Sequence, residues 1–246
     1  MESDEFRLPC DWQILTKPDR LKKKDNIIFI KICDQELVLK IEPHNNYSML
    51  AYYAMQRIKS PVCTQYNCIV QNNNIGMILN KADSVAKNRP QDDIFYWNGL
   101  YDDIYGQLSE LHKVGIVHGD VKFDNILEYN RYFALCDFEM CGAPETIKCV
   151  DNCKKSYDRL RYYVMIGQVS ETNYGRSFNG DLMGLVVVFL MLYVKCDYVD
   201  AIKKYKYSGC VDFDIVQLCA LRKHYIETYL LPVAPKSVSS LYNSLR

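Results

Sequence analysis

Four side chains near the middle of the chain have the types and spacings needed for chemistry on a phosphate. Lys122 and Asn125 lie two and five positions after Asp120, and Asp137 follows Asn125 by twelve positions. Two carboxylates, an ammonium group and an amide suffice to hold a metal-bound triphosphate and to direct a hydroxyl group toward it. Taken alone, Asp120 and Asn125 could be turn residues, so this prediction depends on all four together.

Length and composition allow a sizeable core but say little about partners. The chain has 246 residues, of which 49% are hydrophobic, enough for one large domain or for two small lobes around a shared cleft. Its charges balance to a formal net charge of +0. This balance gives no clear indication of nucleic-acid binding, although it is compatible with a local basic patch.

The cysteines and the first residues bear on the compartment. The 11 cysteines are scattered and odd in number, which favours reduced thiols, and residues 1–5 are too acidic to begin a signal peptide. We therefore expect an intracellular protein, cytoplasmic or nuclear. A zinc site could be suggested by the close spacing of Cys141, Cys149 and Cys153. These residues lack a C-x-x-C pair and a nearby histidine, so buried or unreactive thiols are favoured.

The first third of the chain has the alternation typical of antiparallel strands. The predicted elements are a β-hairpin at 26–43 that turns at 34–35, a helix at 49–58, and strands at 66–70 and 75–79 around a polar turn at 72–74. Lys40 alternates away from the apolar face of the hairpin, so by itself it could be a solvated strand lysine.

The rest of the chain predicts mostly helices. The predicted elements are a helix at 96–113, a strand pair at 126–127 and 133–135, an apolar helix at 182–194 and two or three shorter helices after it. The apolar helix is shorter than the ~20 residues that span a bilayer, so we expect a buried helix and no membrane contact. Residues 80–93 are polar and divide an α+β, two-lobed fold into a β-rich lobe at 1–82 and a helical lobe at 83–246.

These motifs resemble the protein-kinase superfamily. Residues 118–125 followed by 137–139 are similar to its H-R-D-x-x-x-x-N and D-F-G signatures, with Gly119 in place of Arg and Glu139 in place of the last Gly. Residues 39–43 (LKIEP) and the glycine after His118 resemble the casein-kinase-1-like branch that holds the vaccinia-related kinases. The richness in Tyr, Asn, Lys and Ile would suit a large DNA virus as the source.

The resemblance implies ATP and Mg²⁺ as cofactors and a role for each motif residue. Lys40 would contact the α- and β-phosphates, Asp120 would orient the substrate hydroxyl, and Lys122 would neutralise charge on the transferred group. Asn125 and Asp137 would hold Mg²⁺.

Two further residues have expected roles around this loop. Asp181 would start the apolar helix and cap the backbone of the catalytic loop, although an Asp at a helix start also has a local reason to be there. His118 is expected to be a packed, hydrogen-bonded core residue rather than a base.

Three departures from the kinase pattern concern activity. No glycine precedes Gly76, so the glycine-rich phosphate loop is missing. No glutamate lies around Ala51 and Tyr52 to pair with the strand lysine, and Glu42 is expected to be too close in the strand to replace it. Glu139 adds a negative charge beside the metal site. The triplet at 143–145 (APE) follows Asp137 too closely to end a normal activation segment, so we interpret it as coincidence.

Three functions stay open from the sequence. The favoured one is a Ser/Thr protein kinase, whose partner is a protein substrate. The second is a pseudokinase that binds a host or viral protein. The third is a small-molecule phosphotransferase of the aminoglycoside or choline type, against which Lys122 argues because it resembles the lysine of Ser/Thr kinases.

Overall fold

The computed structural model describes residues 8–9, 12–15, 26–58, 60–64, 66, 68–86, 92–130, 132–146, 175–195 and 215–245. The strands are β1 (Gln13–Ile14), β2 (Ile27–Ile32), β3 (Gln35–Pro43), β4 (Ile69–Gln71), β5 (Asn74–Asn80), β6 (Ser84–Val85), β7 (Ile126–Tyr129), β8 (Tyr132–Leu135), β9 (Glu145–Thr146) and β10 (Gly175–Arg176). The helices are α1 (Asn46–Arg57), α2 (Ile94–Lys113), α3 (Phe178–Tyr193), α4 (Ile215–Tyr225) and α5 (Lys236–Ser244). Short helical turns lie at Phe123–Asn125, Phe138–Met140, Ile226–Leu230 and Leu231–Val233.

The first lobe is built on an antiparallel sheet with the strand order β1-β2-β3-β5-β4. The β2–β3 hairpin has the predicted extent, but its turn lies one residue earlier than predicted. Cys33 and Asp34 form it with φ of 46° and 68°, and Gln35 already pairs with Ile32. A two-residue turn with both φ values positive matches the twist of the strands that it joins.

The two faces of this sheet belong to different buried clusters. One face gathers aliphatic side chains from three strands: Ile30, Ile32, Leu37, Leu39 and Ile78. On the other face Lys40 lies opposite Met77 and Glu42 lies opposite Ile75. Met77 and Ile75 share their buried cluster with Met55 of α1, so the face that carries Lys40 is the one turned toward the main core.

Helix α1 begins at Asn46, three residues before the prediction. Asn45 Oδ1 accepts the backbone N–H groups of Tyr47 and Ser48, and Ser48 Oγ accepts the N–H of Asn45. This reciprocal cap satisfies N–H groups that have no partner within the helix. The predicted turn at 72–74 is also shorter, because Asn72 and Asn73 alone have positive φ and Asn74 belongs to β5.

The second lobe is mainly helical and packs around α3. The rings of Trp97 on α2 and Phe189 on α3 meet edge to face at 5.4 Å, and most of α3 is fully buried. This helix begins at Phe178 rather than at 182, because Ser177 caps it through the N–H of Gly180. Among the helices that the structure describes, none is both long enough and apolar enough to cross a membrane.

A second, smaller sheet has the strand order β6-β7-β8. Its edge strand, Ser84–Val85, comes from the segment predicted as a polar hinge and pairs with β7. The division of the chain at residues 82 and 83 stays a prediction. Cys141 is buried, whereas Cys149 and Cys153 of the suggested zinc site lie outside the described residues, as does most of the segment at 140–180.

Candidate functional site

The β7–β8 hairpin brings the two predicted metal ligands to one end of the small sheet. Asn125 immediately precedes β7, Asp137 follows β8 by one residue, and the N–H of Cys136 donates to the carbonyl of Asn125 at 2.9 Å. Because Ile126, the first residue of β7, pairs with Leu135, the last residue of β8, the residues just outside both strands lie at the same end of the hairpin. The sequence predicted this hairpin, although both strands run further than expected.

Helix α2 holds the outer edge of β8. Gln107 donates from Nε2 to the carbonyl of Phe133 at 2.7 Å and accepts the N–H of Leu135 at 3.0 Å. Asp103, one helical turn earlier, accepts the N–H of Phe133 at 2.8 Å. These side chains satisfy backbone groups of an edge strand. Neither residue was predicted to have a role in the site, although their i,i+4 spacing places them on one face of α2.

Asp120 lies at the centre of the predicted loop with most of its side chain buried. Its Oδ2 accepts hydrogen bonds from Lys122 Nζ at 2.6 Å and from Asn125 Nδ2 at 3.0 Å. Asn125 Nδ2 also donates to the Asp120 carbonyl at 2.9 Å. The other carboxylate oxygen, Oδ1, is buried and has no hydrogen-bond partner among the described residues. A buried charged oxygen without a partner is costly, so Oδ1 is suited to accept a hydrogen bond from a bound molecule.

Asp181 fixes the backbone of this loop from α3. The carboxylate is fully buried and accepts the N–H groups of His118 at 2.7 Å and Gly119 at 2.9 Å. His112 Nε2 lies 3.0 Å from the same carboxylate. Gly119 has φ of +79°, a backbone conformation that residues with a Cβ rarely adopt. The expected capping of the loop by Asp181 is therefore present, but Ser177 rather than Asp181 starts the helix.

His118 is a buried structural residue in this arrangement. Its Nε2 donates to the carbonyl of Cys136 at 3.1 Å, and its Nδ1 accepts the N–H of Asp120 at 3.3 Å. These two contacts require the neutral ring with the proton on Nε2. Burial lowers the pKa of His118, against the opposing effect of Asp181. The rings of Phe138 and His118 meet edge to face with 4.7 Å between their centroids, so both ring nitrogens have partners and the imidazole packs against an aromatic ring.

Asp137 connects the second lobe to the first. Its Oδ1 lies 3.0 Å from Lys40 Nζ, so the structure brings the predicted phosphate-binding lysine to the predicted metal ligand. The backbone of Asp137 is left-handed, with φ of 61° and ψ of 64°. Asp tolerates this conformation better than most residues do. The turn aims Phe138 into the core and Glu139 back toward Lys40.

Lys40 is surrounded by three carboxylates. Glu42 Oε1 lies 2.6 Å from its Nζ, and Glu139 Oε1 and Asp137 Oδ1 each lie 3.0 Å away. Glu42 was expected to be too close in the strand to replace a helix glutamate easily, yet it forms an ion pair with Lys40. Residues i and i+2 of a strand share a face, and that periodicity was the signal in the sequence. Burial alone would lower the pKa of Lys40, but Asp137, Glu42 and Glu139 together raise it above its ordinary value.

The donor set fits a magnesium nucleotide only in part. Mg²⁺ in such sites is usually held by one or two protein carboxylates together with phosphate oxygens and water, and Asp137 with Asn125 offers that much. Within the described ranges no cluster of three or more His, Cys, Asp or Glu side chains is arranged to hold a metal ion without such help. Glu42 and Glu139, two of the ion-pair partners of Lys40, also line a cleft of about 220 Å³. Its other lining residues are Asn26, Pro43, Asn45, Tyr47 and Ser48.

Comparison with known proteins identifies the fold. Neither a protein-family model nor a curated protein matches the chain. Among solved structures, that of the Cydia pomonella granulovirus kinase PK-1 is similar, with a TM-score of 0.55 over 96% of this chain and 87% of that one, at 17% identity. The chain has a two-lobed protein-kinase fold. The predicted α+β fold class is therefore confirmed, and an identity this low supports the fold alone.

Proposed function

We propose that this protein, which has a protein-kinase fold, is a compact Ser/Thr protein kinase that transfers the γ-phosphoryl group of ATP to a protein hydroxyl. The observation that carries the proposal is the state of the Asp120 carboxylate. One oxygen is held by Lys122 and Asn125, and the other is buried and has no partner in the described part of the chain. A carboxylate held in this way is suited to orient a substrate hydroxyl.

The other residues would act by positioning and by charge. Lys122, already 2.6 Å from Asp120, would neutralise negative charge that develops on the transferred phosphoryl group next to the attacking oxygen. Its presence supports serine or threonine as the acceptor. Bound Mg²⁺ would supply charge neutralisation on the phosphates, and Asn125 and Asp137 would hold it. Lys40 would contact the α- and β-phosphates from β3.

The proposed branch of the kinase superfamily rests on two short sequence motifs. Residues 39–43 and the glycine after His118 support the casein-kinase-1-like branch that holds the vaccinia-related kinases. We assign a protein substrate as the partner and the cytoplasm or nucleus as the compartment, in a host cell if the source is viral.

A pseudokinase that binds a host or viral protein is the second candidate. The observation that favours it is the contact of Glu139 with Lys40 at 3.0 Å, because this carboxylate occupies the position of the D-F-G glycine and would repel phosphate. The absence of glycine before Gly76 agrees with it. A small-molecule phosphotransferase ranks third because Lys122 argues against it.

The metal assignment can be tested with Asp137→Asn. Asn also tolerates the left-handed backbone at this position, so the variant should fold. We expect magnesium-dependent transfer to generic protein substrates in the unchanged protein, and loss of about a hundredfold or more in the variant at every magnesium concentration. Unchanged transfer by the folded variant would remove Asp137 from the site. A pseudokinase would show no transfer in either protein.

A further inference from the structure

We infer that Glu42 is the residue that positions Lys40 for nucleotide phosphate, in the role that a glutamate of the following helix has in other kinases. This inference rests on the proposed function. Helix α1 follows the lysine strand, and its sequence, NYSMLAYYAMQR, contains no acidic residue. The counter-charge for Lys40 must therefore come from elsewhere, and Glu42 supplies it from the same strand.

The strand geometry holds the two side chains together without help from a helix. Lys40 and Glu42 are two residues apart on β3 and lie opposite Met77 and Ile75, two buried residues of β5. Side chains at i and i+2 stand on the same face of a strand. The 2.6 Å separation of Nζ and Oε1 thus depends on one strand, whereas a pair with a helix residue depends on how that helix packs.

Burial separates Glu42 from the other two carboxylates. The side chain of Glu42 is 8% exposed and that of Lys40 is 13% exposed, whereas Asp137 and Glu139 are 39% and 55% exposed. Water screens an exposed pair much more strongly than a buried one. Asp137 and Glu139 can turn toward water or a cation at little cost. Glu42 lacks that alternative because its carboxylate is buried.

Glu42 also needs Lys40 in return. Lys40 Nζ lies 2.6 Å from Glu42 Oε1 and compensates its charge as an ion pair. No other described residue donates a hydrogen bond to this buried oxygen. Burial raises the pKa of Glu42, Lys40 opposes that rise, and nearby Glu139 adds to it. Removal of Lys40 would leave the buried charge of Glu42 without compensation. After loss of Glu42, Lys40 would keep only the more exposed carboxylates of Asp137 and Glu139, each 3.0 Å away.

The three carboxylates would then divide their roles when a magnesium nucleotide binds. Asp137 would turn from Lys40 to the metal ion, and Glu139 would move away from the phosphates because like charges repel. Glu42 would stay in place and keep the ammonium group of Lys40 2.6 Å from its own carboxylate. Phosphate affinity should therefore depend more strongly on Glu42 than on Glu139.

Titration calorimetry on the full chain tests this inference with two ligands, the magnesium complex of the β,γ-imido analogue of ATP and adenosine. The variants are Glu42→Gln, Glu42→Asp, Glu139→Gln and Glu36→Gln. Glu36 is the matched control, because it is an exposed glutamate of β3 that pairs with Lys81. We expect Glu42→Gln to lower the affinity for the ATP analogue about tenfold or more and to leave the affinity for adenosine unchanged. Glu42→Asp should retain part of the affinity, Glu139→Gln should lose less, and Glu36→Gln should match the unchanged protein.

Four results would overturn the inference, and they differ in what they say of the kinase proposal. Full analogue affinity in Glu42→Gln, or an equal or larger loss in Glu139→Gln, would refute the positioning role and leave the kinase proposal intact. Equal weakening of adenosine and analogue would show that Glu42 only supports the fold. If Glu42→Gln does not fold, Glu42→Asp decides by the same comparison. If the unchanged protein binds neither ligand, the proposed function and this inference both fail.

Discussion

The carboxylate of Asp181, in the first turn of α3, accepts the backbone N–H of His118 at 2.7 Å and so joins the buried helix to the Asp120 loop. It also accepts the N–H of Gly119, whose positive φ turns the chain toward Asp120. Both donors are inside the protein, where water cannot replace a lost acceptor. The position of the Asp120 carboxylate therefore depends on a residue 61 positions later in the sequence.

Replacing Asp181 with Ala should lower the free energy of unfolding by about 3 kcal/mol or more, because two buried N–H groups lose their acceptor. Asp181→Asn keeps one acceptor oxygen and should lose less. Denaturant unfolding followed by circular dichroism measures both changes. Asp102→Asn, on the exposed face of α2, is the matched control. A loss below about 0.5 kcal/mol in Asp181→Ala, within the range of surface substitutions, would contradict this account of the loop.

Replacing Gln107 with Leu should loosen β8 and the residues that follow it. The variant loses the acceptor for the N–H of Leu135 and the donor to the carbonyl of Phe133, which should cost about 1–3 kcal/mol. Hydrogen exchange at the amide of Leu135 should speed up accordingly. Ser109→Ala changes a half-buried residue of the same helix that bonds only the carbonyl of Tyr105 in the described contacts, and it should leave that amide unaffected. Unchanged protection of Leu135 in the Gln107 variant would show that α2 does not hold this edge.

His118 should make stability depend on pH below its ordinary pKa of 6.5. Burial lowers the pKa of His118 in the folded state, so below pH 6.5 the unfolded chain binds a proton that the folded chain does not. Stability from this residue is therefore complete above pH 6.5 and falls with decreasing pH, by up to about 1.4 kcal/mol per pH unit.

The control for His118 is His118→Gln, which has no titratable ring and can still donate to the carbonyl of Cys136. Other acidic and basic groups are common to both proteins, so the difference in unfolding free energy isolates His118. That difference should favour the unchanged protein less at pH 5 than at pH 7.5. A difference that is constant with pH would show that the folded ring is protonated as readily as the unfolded one.

The parts that the sequence predicted well depend on local patterns. Alternation located the β2–β3 hairpin, helical spacing located α2, and two short apolar segments located the β7–β8 hairpin. Each of these signals lies within a short stretch, and each corresponds to a backbone hydrogen-bonding pattern that the structure contains.

The parts that the sequence did not predict depend on contacts between distant segments or on overlooked local caps. The pairing of Ser84–Val85 with β7 and the hold of Gln107 on β8 join segments far apart in sequence. The early start of α1 follows from the Asn45–Ser48 cap, which combines a known N-cap residue with an unusual partner. The Glu42–Lys40 pair was not predicted because Glu42 was expected to be too close in the strand, whereas residues two apart in a strand share a face.

Transfer of the γ-phosphoryl group from labelled ATP and Mg²⁺ to generic protein substrates tests the central claim most directly, with the unchanged protein compared with Asp120→Asn. The Asn side chain keeps the shape of Asp120 and should leave the fold intact, which a thermal unfolding curve checks. The account predicts transfer by the unchanged protein and loss of about a hundredfold or more in the variant. Equal transfer by both proteins, or none by a folded unchanged protein, would contradict it.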